Sequence, residues 1–183
     1  MKIRTLKPNE AERIFELFKS ASVTRNDLSR EQVPNSGFYE YPLTAEDISL
    51  RLKEPGFSIA LADNDEILAY VIAYQLETAG KNGLRDPVLT FLQDRSPDSV
   101  YIDQLFLRRG LPLYFAGRLI DSWDHIVQGE KIPSVACAIP QKPWKNEGSN
   151  RMAAWRGYRR EGFVDEGDVT LGVFTKPYYE VAK

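Results

Sequence analysis

Between Val100 and Val127 the sequence changes its hydrophobic period once, and that change limits what the chain can fold into. "VYIDQLFL" alternates and is rich in β-branched and aromatic residues, so it reads as a strand on which Tyr101, Asp103 and Leu105 share a face. Beyond Gly110 and Pro112, the residues Leu113, Ala116, Ile120, Trp123 and Val127 recur at helical spacing and form one apolar stripe. "IPSVACAIP" follows, a short, continuously apolar run suited to the centre of a sheet. Strand, glycine turn, amphipathic helix and buried strand in that order make a mixed α/β chain.

The flanks repeat the same switching. "KIRTLK" is a short strand, and Ile14, Leu17, Phe18 and Ala21 form a helix stripe behind Pro8-Asn9. A polar, aromatic-rich connection, "NSGFYEYPL", leads to "TAEDISLRLKEP", where Thr44 opens a capping pattern and Pro55 is expected to stop the helix. "FSIALAD" and "ILAYVIAYQLE" around "NDE" predict a β-hairpin. Residues 78–98 carry loop signals around a helical turn beginning at Asp86-Pro87, and so long a connection is often functional. In "SNRMAAWRGYRREGF" the spacing of Arg151, Ala154, Trp155, Tyr158 and Gly162 predicts one helical face, and "VTLGVFTKPY" supplies a last strand.

Composition narrows the function. A length of 183 residues predicts one domain over 1–183 that buries about two thirds of its unfolded surface. A formal net charge of −2 and a pI near 5.6 give no broad basic footprint, so a nucleic-acid partner is not expected. One cysteine and one histidine exclude an internal disulfide and any zinc spacing, so no metal site is expected. No window approaches the ~20 apolar residues of a membrane span, and "MKIRTLKPNEAERIF" has no apolar run like that of a signal peptide. The cytoplasm is the expected compartment, with no membrane partner.

From Tyr101 to Phe163 the sequence resembles the GNAT superfamily of acyl-CoA-dependent N-acyltransferases. "VYIDQLFL" looks like that family's fourth strand, the Gly110 turn stands where its pyrophosphate loop would be, and "RMAAWRGYRREGF" is similar to its late-helix pattern of asparagine, alanine, tyrosine and a terminal Gly-Phe. The resemblance implies an α/β (α+β) fold with a mixed, mostly antiparallel central sheet, helices on both faces and a splay between the fourth and fifth strands. It also implies acetyl-CoA as co-substrate, held by Leu105, Phe106, Leu107, Arg108, Arg109, Gly110, Leu111, Leu113, Tyr114, Asn150 and Ala154. The family's loop reads Gln or Arg, two residues, Gly, one residue, then Gly or Ala; here those places hold Leu107, Gly110 and Pro112. Successive N–H groups at a helix start are what an anion would use, and proline removes one of them. Pro112 reads as the first helical residue.

With Gly162-Phe163 as register, Tyr158 and Ala154 fall on the family's tyrosine and alanine, and Arg151 replaces the asparagine. The resemblance makes Tyr158 the acid that assists the departing thiolate. A phenol is protonated at neutral pH, whereas an alkylamine is too and must lose a proton before attack. Asp103 is the candidate base, with Glu161 and Glu40 behind it; a salt-bridged strand residue is the plainer account of Asp103. Tyr158 packed on an apolar helix face is likewise the plainer account there. His125 reads as a late-helix residue and Cys137 as a core thiol, while Trp144 in "QKPWKNEGSN" is expected to be exposed. The reading is an N-acetyltransferase acting on a small-molecule or peptide amine in a ternary complex. A non-catalytic GNAT-like binding or regulatory module and a transferase of another acyl group stay open, as do the acceptor and the oligomeric state, a homodimer included.

Overall fold

The computed structural model describes residues 1–29, 38, 39, 42–53, 56–81, 83, 84 and 86–179. The elements are β1 (Lys2–Thr5), α1 (Ala11–Ala21), β2 (Ser22–Val23), β3 (Phe38–Tyr39), α2 (Ala45–Arg51), β4 (Ile59–Asp63) and β5 (Glu66–Gln75). They continue with α3 (Leu76–Lys81), α4 (Pro87–Gln93), β6 (Val100–Leu107), α5 (Leu113–Gly129), β7 (Ser134–Lys142), α6 (Glu147–Trp155), β8 (Arg159–Glu166) and β9 (Val169–Pro177). Seven strands form one sheet in the order β1-β4-β5-β6-β7-β9-β8; the short β2 and β3 pair separately. Only β6 and β7 run parallel within the large sheet, the other neighbours being antiparallel. The mixed, mostly antiparallel sheet with helices on both faces is as expected.

Local chemistry sets the helix ends. Thr44 caps α2 reciprocally: Asp47 N–H donates to the Thr44 hydroxyl at 3.1 Å, and Thr44 N–H donates to the Asp47 carboxylate at 2.9 Å. Pro55 lies outside the described residues. Helices α1 and α2 bury Ile14, Phe18, Ile48 and Leu52 against Tyr70, Ile72 and Phe106. On the opposite face α5 buries Leu119, Trp123 and Val127 against Leu61, Ala69 and Val71; Ala116, Trp123 and Val127 of the predicted stripe are buried, but Leu119 takes the core place expected of Ile120, which is half-buried at the cavity. Each such side chain contributes about 1.5–3 kcal/mol by leaving water. Helix α3, which begins just before the long 78–98 connection, and α4 within it pack on Tyr74, Tyr101 and Val173.

The late helix differs from the expectation. It stops at Trp155, because Gly157 takes φ +81°, a left-handed conformation that costs a side-chain-bearing residue about 1 kcal/mol or more. Tyr158 N–H then donates to Ala153 carbonyl at 2.9 Å and Gly157 N–H to Ala154 carbonyl at 3.1 Å, closing the last turn. Arg159 to Glu166 form an edge strand instead of more helix. Gly162 serves that strand: a Cβ there would lie 2.9 Å from the Phe91 ring of α4, so its absence lets α4 sit against β8.

Candidate active site

Strands β6 and β7 pair only at Val100–Val135, Tyr101–Ala136 and Ile102–Cys137. Beyond them β6 follows β5 as far as Leu107, while β7 follows β9 as far as Lys142. The sheet therefore splits, at the place where the resemblance puts the splay. A cavity of about 240 Å³ runs through the split, reaching Phe18, Leu43, Arg51 and Asp86 on one face and Ile120, Trp123, Met152 and Tyr158 on the other.

A β-bulge shapes the first wall. Ile72 pairs with Gln104 but Ala73 pairs with Ile102, so Asp103 is an extra residue on β6. Asp103 and Gln104 consequently turn to the same face. Asp103 accepts from Arg51 Nε at 2.8 Å and from the Tyr74 hydroxyl at 3.2 Å, while Gln104 accepts from the Tyr70 hydroxyl at 3.0 Å. Leu105 packs on the α5 side with Ile102 and Leu107, so Tyr101, Asp103 and Leu105 do not share a face as simple alternation predicts. Arg51 and Asp103 are 9% and 12% exposed, a buried ion pair lining the cavity.

Asp86, which the sequence reading used only as a helix start, stands in the same wall. It caps α4, accepting from Leu89 N–H at 2.7 Å. Burial above all, with Asp103 and Glu166 nearby, pushes its carboxyl up to about 6 against the pull of the Leu89 N–H and Arg51. The Asp-Pro pair signalled the cap. Its meeting with Asp103, 17 positions on, had no local signal.

The second wall is built by α5, α6 and β7. Tyr158 lies just beyond the helix, not on it, and is half-buried beside Ile139, Ala153 and Cys137. Its hydroxyl makes no hydrogen bond among the described residues, and burial holds the phenol well above its ordinary pKa. Burial likewise pushes the Cys137 thiol up to about 12, leaving it no nucleophile at neutral pH. Arg156 reaches across to α5, 2.6 Å from Asp121 and 3.6 Å from Asp124, yet its Nε is buried without a partner. Lone His125 faces outward, its ring bound to Asp121 carbonyl. Trp144 is buried with Val23, Leu28 and Val169, because those apolar side chains give the indole a place out of water; it is not exposed as expected.

The loop residues gather at the open end of the split, where α5 begins. Gly110 has φ +79°, Leu111 N–H closes a turn on Arg108 carbonyl, and Arg109 and Tyr114 are exposed. Arg108 is engaged with Glu66. Pro112 is the N-cap, one place before the helix, rather than its first residue. Leu113 opens α5. Leu105 lines the cavity, but Phe106 turns away and stacks on Tyr70 at 5.1 Å between ring centroids. Asn150 and Ala154 stand outside the lining: Asn150 is bound to Asn146 carbonyl and Gln141, and the α6 residues that reach the cavity are Ser149, Met152 and Ala153. Glu161 is held by the Thr175 hydroxyl, and Glu40 lies outside the described residues. Among the described residues there is no group of acidic, histidine or cysteine side chains suited to a metal, and no helix long and apolar enough to cross a membrane.

No protein-family model matches the sequence, and no curated protein matches it. Solved structures do match in shape. A GNAT-family acetyltransferase from Listeria monocytogenes superposes with a TM-score of 0.62 at 14% identity, covering 96% of this chain and 94% of that one. The ribosomal-protein-S18-alanine N-acetyltransferase of Escherichia coli gives 0.65 at 9% identity, covering 100% and 96%. The PaiA N-acetyltransferase of Thermoplasma acidophilum, solved with coenzyme A, gives 0.62 at 9% identity, covering 97% and 98%. With its split sheet, bulged sixth strand and glycine turn into α5, the chain has the fold of the GNAT acetyltransferases.

Proposed function

We propose that the protein transfers an acetyl group from acetyl-CoA to a primary amine, in the cytoplasm, with both substrates bound at once. The observation that carries this reading is the cavity through the split between β6 and β7. Its lining comes from both faces of the sheet, so a thioester entering from the α5 and α6 side and an amine entering from the α2 and α4 side would meet inside it. At about 240 Å³ it takes the reacting ends of two substrates rather than a whole nucleotide. The nucleotide end fits at the start of α5, a 17-residue helix whose N-terminus carries no side-chain cap and whose dipole favours an anion. Pro112 as N-cap leaves the N–H groups of Leu113 and Tyr114 for that purpose.

The buried Nε–H of Arg156 suits a carbonyl oxygen of the pantetheine arm, because an unpaired buried donor costs about 1–3 kcal/mol until something accepts from it. Tyr158, protonated and unpartnered beside Cys137, donates to the departing sulfur. Its raised pKa suits a hydrogen-bond donor better than a full proton source.

A second reading has its own support. Gly157-Tyr158, not Gly162-Phe163, ends the late helix. That register moves the family's pattern back five residues, so Asn146 falls on its asparagine and Ala153 on its tyrosine. An alanine there favours a non-catalytic module that binds an acyl-CoA. Calorimetry with acetyl-CoA, followed by thiol release with primary amines, separates the two: binding without turnover of any amine supports the module, and neither binding nor turnover removes both. The same titration with propionyl-CoA and longer acyl-CoAs reads the acyl length.

A further inference from the structure

We propose that Asp86 is the group that takes the proton from the acceptor amine, a step that rests on the transferase reading above. Among the described residues three carboxylates, Asp86, Asp103 and Glu166, line the acceptor side of the cavity with one cation, Arg51. An ammonium group is therefore attracted there, and it arrives in the form that cannot attack. The two oxygens of Asp103 are engaged, one by Arg51 Nε and the other by the Tyr74 hydroxyl. A proton on Asp103 would break the buried ion pair that it makes with Arg51.

Asp86 is placed differently. One oxygen is held by Leu89 N–H, which fixes the carboxylate at the mouth of α4, and the other accepts no hydrogen bond among the described residues. Pro87 in the first helical place stiffens the approach, and Phe91 lodged over Gly162 anchors the helix to β8. Among the described residues the charged and titratable groups around it are Arg51 of α2, Asp103 of β6, Glu166 of β8 and the buried phenols Tyr74 and Tyr101. The two carboxylates and the burial act against its ionised form, Arg51 and Leu89 N–H act for it, and the balance puts its carboxyl near neutrality, where a base works best. Phe18, Leu43 and Val88 complete the wall, so the ammonium fits best on an apolar arm.

The step balances as follows. The ammonium gives one proton to the free oxygen of Asp86; the nitrogen lone pair then forms the C–N bond to the thioester carbonyl carbon. The C–S bond breaks, its electrons stay on sulfur, and the second N–H proton passes to the thiolate. Amide and thiol leave, and Asp86 returns its proton to water.

Asn is as good an N-cap as Asp, so Asp86→Asn keeps the helix start and removes the base; Asp86→Ser is the second variant should the first not fold. Thiol release from acetyl-CoA is followed from pH 5 to 9.5 with 2-phenylethylamine, spermidine and a tripeptide with a free N-terminus. In the unchanged protein kcat/KM should rise through pH about 6 and then level off, with 2-phenylethylamine preferred. In Asp86→Asn the amine must arrive already neutral. The profile should then climb tenfold per pH unit towards the amine's own pKa near 10, with no inflection near 6, and lie about 100-fold or more below at pH 7. Asp86→Ala should instead lower the melting temperature by loss of the cap. If Asp86→Asn keeps the inflection near pH 6, merely scaled down, the assignment is wrong while the transferase reading stands. If no amine is acetylated, or acetyl-CoA does not bind, the transferase reading fails and the role of Asp86 with it.

Discussion

On the wall formed by α2, α4 and β6, charge is neutralised inside the wall, Arg51 against Asp103, and one carboxylate oxygen of Asp86 is left over. On the wall formed by α5, α6 and β7, the charge is a guanidinium held by two carboxylates of α5, and one buried N–H of Arg156 is left over. Among the described residues the first wall thus keeps an acceptor short of a partner, and the second keeps two donors, the Arg156 Nε–H and the Tyr158 hydroxyl. Groups of that kind are expensive to leave in a folded protein, and they concentrate at sites where a ligand completes them. On the transferase reading proposed above, the side with the spare acceptor suits an ammonium, and the side with the spare donors suits an amide or thioester carbonyl.

The largest effect should come from breaking the ion pair that sets the first wall. Arg51→Met leaves Asp103 buried without its counter-charge and should cost about 3–5 kcal/mol in urea unfolding, whereas Arg51→Met with Asp103→Leu should recover most of it. A loss below about 1 kcal/mol for the single variant would show that the pair is not what holds that wall.

Asp86 should mark the same wall in the pH dependence of stability. Its folded carboxyl is raised from 3.8 to about 6, so the native state keeps this proton to a higher pH than the unfolded chain does. The contribution is complete below pH about 4 and is lost as pH rises through 6, a fall on the order of 3 kcal/mol at most that Asp86→Asn should abolish. An unchanged slope in thermal melts between pH 4 and 7 would mean that Asp86 is as solvated as any surface carboxylate.

On the second wall Tyr158→Phe should leave folding and acetyl-CoA affinity nearly unchanged, since the hydroxyl has no partner to lose, while kcat falls about 10–100-fold. Full activity would take the departing thiolate away from Tyr158 and leave it a packing residue. The smallest effect is expected at the start of α5. Because Pro112 is the cap and not the first helical residue, its missing N–H is not among the donors aimed along the axis, and Pro112→Gly should shift acetyl-CoA affinity by no more than about twofold. A tenfold gain would show that position 112 itself faces the diphosphate.

Much of the frame was legible because burial imposes period. The stripe of α5, the Thr44 cap, the β4–β5 hairpin and the apolar β7 all follow from residues that must face a core. Strand β8 was not legible: in "RREGFVDE" only Val164 is buried, so an edge strand of charges leaves no alternation, and the helical spacing ahead of it reads straight through Gly157. The site was legible in its location and illegible in its chemistry. Asp103 was singled out, but not that a bulge turns it onto Arg51, the last residue of α2, which is buried between Ile48 and the capping Leu52.

By itself the sequence determined which segments are strands and helices where one face is apolar, and where capped helices begin. These are properties of neighbours in the chain, set by periodicity, capping and backbone preference over a few residues. Only the tertiary structure decided that β6 and β7 part after three pairs, that Asp103 is bulged, and that Asp86, Arg51 and Tyr158 share a cavity. Those depend on register between strands far apart in sequence and on burial from several directions at once, and a pKa or an orphaned N–H is a property of that surrounding rather than of the residue.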